Sequence, residues 1–298
     1  MANDIVNFPN SFIQFTTDPV SCNEYNGDKL PINNVYDNFF MLRINSTDVT
    51  YLGGISFVYA KGDYAVGDTV EVTDIIKQFW LDSVLISGTD FLLYLSSADC
   101  VNCPMAFGSC GETEISPNDC ITLAIIDGAN LVISAAIPKF YYVDDLCFTE
   151  TVRYGCADNS YGFLYEEASA AIGAQYYNQI RINIDKTSPS PITKKTGFEL
   201  SDGSFRTLAA SKQKEWQIET DYYTDHIHQC LDAAIDHDFL YIYQEFLADC
   251  DYTDFEYFHD QEDKYDIDWQ EKPGQHLGVA KAKFKLKTNP YYSQNSNC

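Results

Sequence analysis

Short apolar runs, broken at close intervals by turn-forming pairs, constrain this chain more than any other feature. Between Phe12 and Ile137 the breaks fall at Asn26-Gly27, Gly53-Gly54, Gly62-Asp63, Gly67-Asp68 and Asp127-Gly128. Runs of that length suit antiparallel strands and leave little room for helices. From Ile121 to Ser134 two apolar runs flank Asp127-Gly128, a pair that readily takes positive φ, so a hairpin with a type I′ turn is expected. Its strands carry no charge and are apolar on both faces, so each face needs a cover, either a second sheet or another subunit. One short helix is expected to interrupt the strands, with Thr73 as N-cap and Ile75, Ile76, Phe79 and Trp80 along one side.

At 298 residues the chain exceeds what one core usually serves. The hydrophobic rhythm breaks around Phe140 to Cys147, which places a boundary near Asp145. The expected fold is mainly β with few helices: an antiparallel β-sandwich over residues 1–145 and an α+β assembly domain over 146–298. In the second half, Gln179 to Ile184 reads as a strand. Residues 185–197, with Ser188-Pro189-Ser190-Pro191, lack periodicity and read as an exposed arm that reaches a neighbour in an assembly. Thr224 or Asp225 caps a helix whose apolar residues Ile227, Leu231, Ala234 and Ile235 recur at helical spacing, and Phe239 to Tyr243 follows as a strand. From Asp249 to Glu271 ten acidic residues face one lysine, with six aromatics between them, which reads as a solvated or partner-bound loop. Lys281, Lys283, Lys285 and Lys287 alternate with Ala280, Ala282, Phe284 and Leu286, giving an amphipathic strand with a lysine face.

Acidity is global: 19 Lys and Arg stand against 44 Asp and Glu, for a formal charge of −25. A field of that sign repels phosphate backbones and anionic headgroups, so sequence-specific nucleic-acid binding and membrane association are not expected. The first nine residues have no basic or apolar leader segment, and no run approaches the length of a membrane helix. A cytoplasmic site of synthesis is therefore expected, with the ten cysteines reduced by default.

Candidate chemistry is sparse. Cys100 and Cys103 have the spacing of adjacent zinc ligands, and Cys110 and Cys120 could complete a tetrahedral set, although nine residues separate that second pair. Free thiols, or a disulfide formed after release from the cell, are the alternatives. His226, His228, His237 and Asp238 cluster about the helix, but residues two apart on a helix diverge, which argues against a shared metal or a proton relay. Asp249, Asp251, Asp254 and Glu256 could clasp calcium, without the glycine and closing bidentate Glu of an EF-hand loop. No nucleophile elbow, HExxH, phosphate-binding loop or dinucleotide fingerprint occurs. Neither catalysis nor a cofactor is expected.

The second half carries Tyr154-Gly155-Cys156 with Asn159 and Gly162-Phe163-Leu164-Tyr165, then Gln179-Ile180-Arg181-Ile182, then Phe198-Glu199 with Ser201-Asp202-Gly203. Lys214-x-Trp216, Thr220-Asp221, His228 with Leu231 and Ala234, His237-Asp238 and Asn295-Ser296-Asn297-Cys298 follow. Over about half of the chain, this pattern resembles virion-associated structural proteins of tailed phages infecting Bacteroidota, the crAss-like phages and their relatives. The resemblance implies a neck, tail-ring or baseplate component that is present in several copies and assembles into the virion in the host cytoplasm. Its partners would be copies of itself and neighbouring neck or tail proteins. An acidic lumen would let DNA slide past without sticking, and Lys281, Lys283, Lys285 and Lys287 are the expected interface, meeting the acidic segment 249–271 within or between subunits. A tail-associated protein that grips a host glycan or receptor is the alternative.

Overall fold

The computed structural model describes residues 4–18, 21–22, 29–95, 113–144, 149–186, 190–243, 257–259, 265–272, 275–286 and 291–292. Among them three β-sheets and three short α-helices give the mainly β fold expected. The first sheet is antiparallel and runs β1 (Asp4–Val6), β4 (Met41–Asn45), β8 (Asp90–Tyr94), β7 (Asp82–Ser87). The second is built on β9 (Cys120–Ile126). One edge of β9 takes β10 (Val132–Ile137) and β11 (Lys139–Tyr142), successive strands separated by the cis Ile137-Pro138 bond, and the other edge takes β5 (Ser56–Lys61). Outside these lie β2 (Gln14–Thr16) on β10, β6 (Ile75–Phe79) on β5, and β3 (Lys29–Ile32), which is parallel to β11.

The third sheet runs β16 (Phe239–Tyr243), β12 (Thr149–Gly155), β13 (Asn178–Lys186), β15 (Phe205–Thr220), β19 (Gln275–Leu286) and β17 (Tyr257–His259). β14 (Ser190–Glu199) and β20 (Tyr291–Tyr292) pair with β15, and β18 (Asp266–Lys272) pairs with β19. The helices are α1 (Val49–Gly54), α2 (Tyr165–Ile172), which packs beside β7 and β8, and α3 (Asp225–Ile235), which packs on β12 and β19.

The expected hairpin is present as β9 and β10, but its turn differs. Five residues join the strands, Asn130 rather than Gly128 takes positive φ (61°), and Asp127 Oδ1 accepts from the Ala129 and Leu131 amides. The left-handed residue is an asparagine, which tolerates that conformation, so the turn needs no glycine there. Alternation along β5, β9 and β10 divides the strands between two interiors. Phe57, Tyr59, Leu123 and Ile125 face the main core, while Val58, Ala60, Ala124, Ile126, Val132 and Ala135 face a smaller cluster closed by Tyr64 and Val70. The second face of the hairpin is therefore covered by the chain's own segment 64–75, and not by another sheet.

Three sequence expectations fail in whole or in part. Ile75 to Phe79 is a strand, not a helix: the apolar spacing that mimics a helical face arises from a β-bulge at Ile76, which turns Ile76 and Phe79 toward the same core while Trp80 stays exposed. Residues 190–197 are strand β14, fully paired with β15, instead of an unstructured arm. Part of the acidic stretch, Asp266 to Glu271, is likewise strand, in β18. The helix over Asp225–Ile235 and the strand Phe239–Tyr243 form as expected.

β11 and β12, which flank the expected boundary near Asp145, belong to different sheets, and one apolar cluster spans both sides of it. Phe8 packs on Phe163 and Phe12 on Tyr154, with ring centroids 5.5 and 5.9 Å apart, and the cluster extends from Phe8 to Ala282. Phe39 and Gln179 exchange two backbone hydrogen bonds (3.0 and 2.8 Å). Beside them a buried ion pair joins Arg181 to Asp37 at 2.7 Å; the other Asp37 oxygen accepts from the Asn33 and Asn34 amides, and Arg181 also donates to Thr149. Buried charges are tolerated only when paired and hydrogen-bonded in this fashion.

Candidate functional site

The third sheet holds the expected strand with alternating lysines, β19. Cα register places Glu219, Lys281 and Asp266 directly opposite one another on β15, β19 and β18, with Asp185 of β13 opposite Glu219, so four strands contribute to one charged row. Lys281 is exposed, with Nζ 3.0 Å from Glu219. Lys283 and Lys285 occupy the register positions opposite Gln217 and Glu215, while Lys287 lies outside the described residues. β19 is paired along both edges, to β15 on one side and to β17 and β18 on the other, so it offers a neighbour a face and not a free edge. On the opposite side of the strand Ala280 and Ala282 are buried, as period two requires.

Where β13 and β15 end, the sheet opens into a cleft of about 470 Å³. Asp185, Glu219 and Asp221 supply its carboxylates, Tyr222 its aromatic ring and Val279 an apolar side chain, while the lining residue Ile184 is itself buried in the main core. Asp185 and Glu219 are cross-strand partners, an arrangement that is unfavourable for two like charges. Lys281 offsets one of them through its bond to Glu219, which leaves the cleft anionic.

The β14–β15 hairpin is the second feature of this sheet. The turn from Leu200 to Ser204 is closed by the Leu200 amide on Ser204 O (2.7 Å) and by Asp202 Oδ1, which accepts from the Ser204 amide and hydroxyl. Gly203 supplies the left-handed residue at φ 80°. Gly197 sits at a register shift, where a Cβ would meet Arg206 O at 2.0 Å, so only glycine allows the strands to close there. Every residue from Phe198 to Arg206 is exposed, including three large apolar side chains, Phe198, Leu200 and Phe205.

Of the four cysteines that could have formed a zinc set, only Cys120 lies among the described residues. Cys120 forms a disulfide with Cys22, against the expectation of reduced thiols, and Cys100, Cys103 and Cys110 lie outside the described residues. The pairing had no sequence signal, because the two cysteines are 98 residues apart and meet only when β9 is laid beside the segment after β2. Near this bridge Lys139 is buried. Its Nζ donates to Thr122 Oγ1 (2.9 Å) and to Tyr64 O (3.3 Å), with Asp63 at 3.9 Å. Burial pushes its pKa down to about 8 despite the aspartate.

The histidines do not converge. His228 is buried and bridges Tyr265 Oη (2.9 Å) and Gly278 O (2.8 Å), which ties α3 to β18 and β19. His226 instead lies beside Cys230 on α3. His237 Nδ1 bonds Ala233 O at 2.6 Å, and its ring stacks on Tyr161 (4.3 Å) within a box that includes Tyr154, Phe163 and Tyr165. Burial lowers its pKa to about 4, so the ring is neutral at physiological pH and serves packing. Cys156, Asp158 and Asp238 bring their ligand atoms within 4.8 Å of one another. Burial pushes the thiol up to about 11, against a backbone hydrogen bond from Asp238 that lowers it and with the Asp238 and Asp158 carboxylates adding to the rise. A thiol held protonated in this way is a poor nucleophile. The calcium candidates Asp249, Asp251, Asp254 and Glu256 lie outside the described residues.

No helix among the described residues is long and apolar enough to cross a membrane. Comparison with protein-family models, curated proteins and solved structures found no match to this chain.

Proposed function

We propose that this chain is a structural component of a tailed-phage particle, a neck, tail-ring or baseplate protein that assembles in several copies around the DNA channel. The observation that carries the assembly reading is the β14–β15 hairpin. Its tip sets Phe198, Leu200 and Phe205 in water on a turn held rigid by its own hydrogen bonds. Exposed apolar side chains grouped on an ordered projection are costly to a monomer and useful to an assembly.

The particle is suggested by the resemblance carried on Tyr154 to Cys156, Gln179 to Ile182, Phe198-Glu199 with Ser201-Asp202-Gly203, and Thr220-Asp221. Two of these groups fall on the hairpin tip and the cleft. The net charge of −25 suits a wall past which DNA must slide. The Cys22–Cys120 disulfide suits a protein that ends in an oxidising exterior. The test is protein mass spectrometry on intact, gradient-purified particles of the phage that encodes the chain. A fixed copy number per particle, in multiples that match a rotational symmetry, is the expected result; absence from particles overturns the reading.

A further inference from the structure

We infer that the hairpin tip of one copy docks in the acidic cleft of the next copy; this rests on the assembly reading above and names the two surfaces that meet. The donor is the β14–β15 turn with Phe198, Phe205 and Arg206, all exposed. Phe198 and Arg206 are Cα partners, so they leave the hairpin on the same face and present a ring and a guanidinium together. The acceptor is the cleft of about 470 Å³ lined by the carboxylates Asp185, Glu219 and Asp221 together with Val279 and Tyr222.

Chemistry matches on both counts: the Phe198 ring meets Val279 and Tyr222, and a guanidinium meets carboxylates that it can bond bidentately. Charge is also complementary at longer range. The sequence from 190 to 216 holds Lys194, Lys195, Arg206, Lys212 and Lys214 against Glu199, Asp202 and Glu215, a basic stretch in a strongly acidic chain. Such a patch is attracted to the body of another copy as well as to the cleft itself.

Strand geometry excludes the same chain as the occupant. Phe205 and Glu219 lie on one continuous strand, β15, and at about 3.3 Å per residue their separation along it is roughly 45 Å. Folding the tip back to its own cleft would require breaking β15 and its ladder with β14. The contact is therefore head-to-tail between copies, using two different patches of each chain, the kind of interface that closes into a ring when the rotation between copies permits.

The test uses the full chain and four variants: Arg206→Glu, the double change Phe198→Ser with Phe205→Ser, Asp185→Lys, and Arg206→Glu combined with Asp185→Lys. All altered positions are exposed, so each variant should fold, and a circular dichroism spectrum that matches the wild type is the check; Tm is not, because association itself raises it. Light scattering should show a multimeric wild type. The tip variants and the cleft variant should fall to the mass of one chain, 33.8 kDa, and the reversed pair should regain multimers. Mixing the double-serine tip variant with the Asp185→Lys cleft variant should give a dimer and nothing larger, because each such pair retains one intact tip and one intact cleft. Single variants that keep the wild-type mass would overturn the docking while leaving the assembly reading in place. A monomeric wild type would overturn both.

Discussion

At the scale of single residues, the second half of the chain is held by polar groups that burial has stripped of their usual titration. His237 is the clearest. Its ordinary pKa of 6.5 falls to about 4 because the ring is enclosed by four aromatic side chains. The folded protein therefore stays unprotonated at this position while the unfolded chain takes up a proton between roughly pH 6.5 and 4, and stability is lost as pH falls through that window. The loss amounts to at most about 3 kcal/mol. His237→Phe should flatten this part of the acid limb. The substitution also leaves Ala233 O without its imidazole donor, a cost independent of pH, so the slope and not the absolute Tm decides. A Tm-against-pH curve for the variant that runs parallel to the wild type would show that His237 titrates normally in the fold.

This residue also shows where sequence reading stops. His237 was legible as a group near the end of a helix, but its role depends on Tyr154, Tyr161, Phe163 and Tyr165, which reach it from β12, the loop after it and α2. Cys22 and Cys120 were invisible as a pair for the same reason: proximity across sheets leaves no periodic trace in the chain.

Among the elements, regular strands were readable whether their faces differ in polarity, as in β19, or are both apolar, as in β9 and β10, while a strand that is bulged or carries a proline at its start was not. The lysine strand β19 was plain because Lys and Ala alternate with the pleat, and α3 was plain because its apolar residues recur at helical spacing. β6 read as a helix because one bulged residue converts a period of two into apparent helical spacing. β14 read as a loop because Pro191 and its serine neighbours suggest irregular backbone, whereas the strand is held by its long partner β15. The hairpin tip did leave a signal, a Ser201-Asp202-Gly203 turn between Phe198 and Phe205, of the kind that marks the strands on either side. In β19, Lys281 stands between Glu219 and Asp266 on the flanking strands. Lys281→Glu would set three carboxylates abreast, and like charges directly opposite cost a few tenths to about 1 kcal/mol per pair. The urea midpoint should fall with the m-value unchanged. An unchanged midpoint would mean that the charged row contributes nothing to the sheet.

For the whole molecule, the main question is whether the sequence halves act as one body. A common apolar cluster, the Phe39–Gln179 bridge and the buried Asp37–Arg181 pair cross the position where the strand pattern changes. Asp37→Asn would leave the Arg181 charge buried without its counter-ion, a change that costs about 3–5 kcal/mol in comparable pairs. Because the core is common, unfolding should remain a single transition and move as a whole to lower urea. A second transition that stays in place while the first moves would show that the halves unfold separately. The central claim is that this chain works as one of several copies. Its most direct test is the mass of the purified wild-type protein measured by light scattering across a dilution series: a discrete multiple of 33.8 kDa that dissociates on dilution or in high salt is the predicted result, and a single chain at every concentration would contradict it.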